Sequence, residues 1–150
     1  MKAVLQRVTH ANVVVEGELV SEIEKGFLIL LGVDNTDTKA DADVLSKKIS
    51  GMRVFEDENG KMNRSAAELG LSALVVSNFT LCADTKKGNR PSYFRAAGEA
   101  ISRPMYEKFV ASVEQALGKR VATGEFGADM KVALVNDGPV TIWIDSRNKE

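Results

Sequence analysis

Apolar and polar positions alternate from residue 3 to residue 8, and valines continue the pattern over residues 12–16, the two-residue period of a half-buried strand. After Gly17 the period returns at residues 19–23, and residues 27–33 (Phe-Leu-Ile-Leu-Leu-Gly-Val) form the continuous apolar run of a deeply buried strand. The short turns between these segments favour antiparallel pairing. The period then changes. Val44, Leu45, Ile49 and Met52 recur at helical spacing over residues 37–52, with Thr36 or Asp37 as N-cap. Residues 53–56 read as a strand, residues 57–60 as a turn, and residues 71–81 as a strongly apolar strand with a polar end. Tyr106, Phe109, Val110, Val113 and Leu117 share one face of a second long helix, begun by Pro104 and ended by Gly118. Two final strands, residues 131–135 and 140–145, flank a tight Asn136-Asp137-Gly138-Pro139 connection. The pattern predicts a mixed α/β fold in which strands outnumber helices.

Composition narrows this to one compact domain over residues 1–150. The chain is 44% hydrophobic, enough for a single core, and it carries no linker, low-complexity segment or repeat. Twenty basic residues against twenty-one acidic ones give a net charge of -1, so contact with nucleic acid has to be local. No run approaches the ~20 apolar residues of a membrane span, and the first residues lack a secretory apolar stretch. A soluble, cytoplasmic protein with no membrane association is expected. A lone cysteine, Cys82, excludes an intrachain disulfide, and a lone histidine, His10, leaves no Cys/His cluster, so neither a metal nor a cofactor is expected.

Three features carry candidate chemistry. Ser77-Asn78-Phe79-Thr80 puts two hydroxyls and an amide at the end of a buried strand, where they either satisfy backbone groups or border a cleft. As a nucleophile Thr80 needs a base, and His10 is distant in sequence. Gly138-Pro139, in Asn136-Asp137-Gly138-Pro139-Val140-Thr141, reads as an ordinary hairpin turn or as a rigid corner without a side chain, with a bond able to be cis. Lys86, Lys87 and Arg90 stand in an exposed loop, residues 83–92, as a solvated turn or a phosphate-holding patch.

Taken together these segments resemble the D-aminoacyl-tRNA deacylase family along nearly the whole chain. The likeness runs through Arg7-Val8 and the strand after it, Gly26 with the apolar run that follows, Gly60-Lys61-Met62-Asn63, Lys87-Gly88-Asn89-Arg90-Pro91-Ser92 and Phe126-Gly127-Ala128-Asp129-Met130, in that order. The family's Ser-Gln-Phe-Thr motif falls on residues 77–80, with Asn78 in place of Gln, and its Asn-x-Gly-Pro-Val-Thr motif is intact at residues 136–141. The resemblance implies a mixed, largely antiparallel, barrel-like sheet with two long helices. It also implies a homodimer that hydrolyses the ester of D-aminoacyl-tRNA, or of glycyl-tRNA, at the tRNA 3′ end, and that rejects L-amino acids. Gly138-Pro139 is then a cis pair inserted into the partner's pocket and supported by Arg7, with Asn78, Met130 and Asn136 also on the substrate side. Ser77, Phe79 and Thr80 are the implied catalytic set. With no evident protein base, water attack assisted by the ribose 2′-hydroxyl is the favoured route, with Phe79 and Thr80 amides at the oxyanion; Thr80 as nucleophile is the competing one. A non-catalytic dimeric nucleic-acid-binding protein using the 86–90 loop is the alternative from another class.

Overall fold

A computed structural model describes residues 1–148. Its centre is one long strand, β1 (Lys2–Val15), which merges the two N-terminal segments read separately above. Residues 2–8 pair antiparallel with β3 (Gly26–Gly32), residues 11–15 pair with β2 (Glu18–Ile23), and β8 (Lys131–Asp145) runs antiparallel along β1's other side. Beyond β3 the sheet continues in parallel through β6 (Ser72–Ser77) and β7 (Ala122–Thr123). The result is a mixed, mostly antiparallel, nearly closed barrel-like sheet, with β4 (Phe55–Glu56) and β5 (Met62–Arg64) as a separate small ribbon.

Each face of the sheet buries its own cluster. Ala3, Leu5, Phe27, Ile29, Leu31, Ala73 and Val75 pack on the helical layer through Leu45, Ile49, Phe109 and Val113. Val8, Ala11, Val13, Leu28, Leu74 and Val76 pack together on the other face. The alternation along β1 and β3 therefore serves two interiors, as the two-residue period requires. The helical layer consists of α1 (Lys39–Ser50), the short α2 (Ala66–Leu69) and α3 (Glu99–Leu117). Among the described residues, no helix is long and apolar enough to cross a membrane.

Several boundaries differ from the sequence reading. The helix expected over residues 37–52 is shorter, and its N-cap is Thr38, because the Asp41 carboxylate reaches back to the Thr38 N–H at 2.8 Å. Asp37 instead accepts from the Met1 ammonium at 2.6 Å. Val44 is exposed, and Ala42 takes its place on the buried stripe with Leu45 and Ile49. Pro104 lies inside α3, which starts at Glu99 behind a Gly98 cap. The strand expected over residues 71–81 stops at Ser77, after which Phe79–Cys82 forms a 3₁₀ turn. The two C-terminal strands are one: Gln6 pairs with Thr141 and Val8 with Asn136, so two steps of β1 face five of β8. Residues 137–140 thus form a wide bulge, and the hairpin reading of Asn136 to Pro139 is wrong.

Candidate functional site

The end of β6 is anchored before it turns. Asn78 N–H donates to the Leu31 carbonyl at 2.7 Å, and the 3₁₀ turn then folds over the end of β3. Gly32 makes this possible: a Cβ there would stand 2.8 Å from Leu81 Cβ and 3.1 Å from the Asn78 carbonyl. The backbone N–H groups of Phe79 and Thr80 open that turn, where no intrahelical acceptor exists. The Thr80 hydroxyl, exposed, donates to the Asn78 side-chain oxygen. An amide oxygen is no general base, so this contact holds the hydroxyl without activating it. It also gives the shortened amide at position 78 a local partner.

Beside the turn opens a cavity of about 810 Å³, the size of a small-molecule site. Its floor is apolar, built from Leu28, Leu30 and Val76, while Met130, Val132 and Leu134 close it from β8 and the segment before it. Ser77, Asn78, Phe79 and Tyr93 form one rim, and Phe126 and Tyr106 also line the cavity. Tyr106 donates to the Val75 carbonyl at 2.8 Å, and burial pushes its phenol up to about 12, so it stays neutral. Burial likewise pushes the Cys82 thiol up, away from thiolate chemistry. Gln6 also lines the cavity, and its side-chain oxygen accepts from the Thr141 hydroxyl at 2.5 Å. Sequence reasoning missed Gln6, because a polar residue on the half-exposed phase of β1 fits the alternation and leaves no signal. His10, exposed and paired with Val135, does not line the cavity. Among the described residues no cluster of three or more His, Cys, Asp or Glu side chains could hold a metal ion.

The bulge of β8 makes a second construction. The Gly138-Pro139 peptide is cis, both residues are exposed, and neither lines the cavity of its own chain. Arg7, buried on the face that Ala3 and Leu5 share, donates from Nε to the Asp137 carbonyl at 2.9 Å and from Nη1 to the Val54 carbonyl at 2.7 Å. Its guanidinium also lies 3.5 Å from the Asp137 carboxylate. A rigid fork of this kind fixes the corner in direction as well as position. Asn136 is exposed at the start of the bulge. The residues named from sequence therefore fall into three groups. Ser77, Asn78, Phe79 and Met130 line the cavity, with Thr80 next to them on the turn. Arg7, Asn136, Gly138 and Pro139 belong to the corner. Lys86, Lys87 and Arg90 stand exposed on a loop whose base is closed by mutual backbone bonds between Asp84 and Ser92, at 2.7 and 2.9 Å.

The family described as D-Tyr-tRNA(Tyr) deacylase matches residues 4–145. A relative from Phocaeicola vulgatus named D-aminoacyl-tRNA deacylase is 57% identical over 150 residues, covering all of both chains. One of the same name from Chromobacterium violaceum is 56% identical over the same span. A solved structure described as c-Myc DNA Unwinding Element Binding Protein superposes with a TM-score of 0.92 at 39% identity, across 99% of this chain and 100% of that one. Another, described as a probable eukaryotic D-amino acid tRNA deacylase, reaches a TM-score of 0.82 at 15% identity, over 95% and 97% of the two chains, and speaks for the fold alone.

Proposed function

The chain belongs to the D-Tyr-tRNA(Tyr) deacylase family, and from that premise we propose that its cavity takes the D-aminoacyl end of tRNA, or its glycyl counterpart, and is completed by the Gly138-Pro139 corner of a second copy. It is a hydrolase, and its activity is D-aminoacyl-tRNA deacylation. The observation that carries the dimeric reading is the separation of two built parts. An apolar cavity with free amides at its rim lies in one place, and an exposed corner held by Arg7 lies outside that cavity.

In this reading the corner's backbone receives the substrate's α-amino group and leaves no room on that side for a side chain. Exchanging hydrogen and side chain, as in an L-amino acid, drives the side chain into the corner; glycine has none and passes. Water attacks the ester carbonyl carbon and the displaced electron pair collects on oxygen, where the Phe79 and Thr80 N–H groups donate. Donors so placed contribute ~2.7–4 kcal/mol to such transition states. Collapse breaks the bond to the ribose 3′-oxygen, which takes up the proton relayed by the neighbouring 2′-hydroxyl, and free amino acid and tRNA leave. Thr80 positions the substrate, while Lys86, Lys87 and Arg90 meet backbone phosphates. A purely nucleic-acid-binding role is not favoured, since it leaves both the cavity and the corner without a use.

The test is amino-acid release from D-Tyr-tRNA, L-Tyr-tRNA, Gly-tRNA, a simple D-Tyr ester and D-Tyr-tRNA ending in 2′-deoxyadenosine. The proposal expects release from the D and glycyl substrates, none from the L form, little from the simple ester, and a slow rate with retained affinity for the deoxy form. Equal rates on the D and L forms contradict the chiral reading, and a normal rate on the deoxy form contradicts the 2′-hydroxyl relay.

A further inference from the structure

Among the described residues four large aromatic side chains are exposed, Phe79 (58%), Tyr93 (38%), Phe94 (69%) and Trp143 (51%); two of them line the cavity, and Phe94 follows one of these in the chain. Phe79 and Tyr93 both line the cavity and meet edge to face with ring centroids 5.1 Å apart. Phe94 follows Tyr93 directly and is the most exposed large apolar side chain of the group.

Its backbone, by contrast, is firmly held. The Asn35 N–H donates to the Arg95 carbonyl at 2.8 Å, the Asn35 side-chain amide donates to the Phe94 carbonyl at 3.3 Å, and the Ala97 N–H donates to the Val33 carbonyl at 2.9 Å. Arg95 pairs with the buried Asp34 at 3.3 Å. A ring carried by a fixed backbone and left in water is pre-organised for a partner. Pro91 and Arg90 come two and three residues before Tyr93, with Lys86 and Lys87 earlier on the same closed loop, so a set of exposed cations adjoins the aromatic rim along the chain. That order, a small apolar cavity, then flat aromatic faces, then positive charge, matches a single strand running outward from an esterified end: ester, unpaired base, phosphates.

We propose that Phe94 stacks on an unpaired nucleobase of the substrate's single-stranded 3′ end, one nucleotide inward from the terminal adenosine, with the Phe79–Tyr93 pair as the wall beside it. This rests on the deacylase reading of the cavity and adds to it a recognition element for RNA beyond the esterified nucleotide. The Phe94 ring takes no part in the bond-breaking step; it lengthens the grip on the strand.

The experiment compares kcat/KM for D-Tyr esterified to full-length tRNA with kcat/KM for D-Tyr-adenosine, in the wild-type protein, Phe94→Ala and Phe94→Trp. The proposal expects Phe94→Ala to lower the ratio of the two values by roughly tenfold, the usual effect of removing one stacked base partner, through KM, and expects Phe94→Trp to restore it. A ratio within twofold of wild type in Phe94→Ala overturns the proposal, as does a change in oligomeric mass in Phe94→Ala with the ratio intact, which assigns the ring to a contact between copies. If the wild-type protein hydrolyses neither substrate, the deacylase reading itself has failed, an outcome distinct from a normal wild-type rate with an unmoved ratio.

Discussion

Gly138 sits where a side chain has no room: its φ is +134°, and a Cβ would stand 2.9 Å from both the Val140 nitrogen and Val140 Cγ2. That the motif needs glycine here was legible in the sequence. That Arg7, which holds the corner at the Asp137 carbonyl, is itself anchored on the Val54 carbonyl was not, because 47 residues separate Arg7 from Val54 and no local pattern links them. The motif singles out Thr80 and leaves its role ambiguous; the structure puts the residue on the turn beside the cavity-lining Phe79. Its hydroxyl donates to Asn78 and has no basic partner among the described residues, which is the ground for the proposal that it positions the substrate. Thr80→Ala is therefore expected to cost roughly tenfold in rate, the scale of one lost hydrogen bond, rather than the ~10⁴-fold or more that removing a nucleophile costs. Quenched reactions analysed by mass spectrometry should contain no aminoacyl-Thr80; a trapped adduct makes Thr80 the nucleophile.

At the scale of elements, the sequence reading was right along most unbroken periods and wrong chiefly at the joins, with the exposed Val44 of α1 a miss inside an element. β1, β2, β3 and the buried face of α3 follow from hydrophobic spacing. The division of β8 into two strands failed because Asn136 to Pro139 has the residue types of a turn, while pairing with β1 on both sides carries the strand past it as a bulge. Residues 79–81 are apolar enough for strand, yet they curl over Gly32. That close approach is testable: Gly32→Ala pushes on Leu81 and the Asn78 carbonyl, so activity should fall at least tenfold while far-UV circular dichroism stays native. Wild-type activity in that variant means that the turn does not set the site. The start of α1 gives a pH prediction. Burial raises the Asp41 carboxyl, but hydrogen bonds from the Thr38 N–H, the Ser146 hydroxyl and Arg147 outweigh this and bring it down to about 2. A depressed carboxylate stabilises the fold above its unfolded value near 4, and that stability is lost as pH falls towards 2. Asp41→Ala should cost about 1 kcal/mol in urea unfolding at pH 6, and the gap to wild type should close between pH 4 and 2. A gap that does not narrow with acid assigns the loss to packing instead.

For the molecule as a whole, a net charge of -1 leaves RNA contact to local cations, and the fold concentrates three of them on one loop near the cavity rim. β8 pairs with β1 alone, so its outer edge is open among the described residues, and it exposes Val135 and Trp143. Open apolar edges invite another strand, and a second copy covering this one would bring a Gly138-Pro139 corner with it. The single-domain fold was legible because most core positions, such as Leu5, Ile29, Leu45 and Phe109, belong to periodic segments, with Ala66, Ala97 and Val121 outside them. The proposed second chain was suggested only by the motif, since a corner outside its own cavity leaves no trace in local spacing. Subunit mixing tests the account most directly. Gly138→Val spoils the corner and spares the cavity; Ser77→Tyr fills the cavity and spares the corner. Each variant alone should be inactive on D-Tyr-tRNA. After unfolding and refolding as an equal mixture, half the dimers should pair one of each, with one intact site in two, restoring about one quarter of wild-type activity. A mixture as inactive as its components contradicts a site built from two chains.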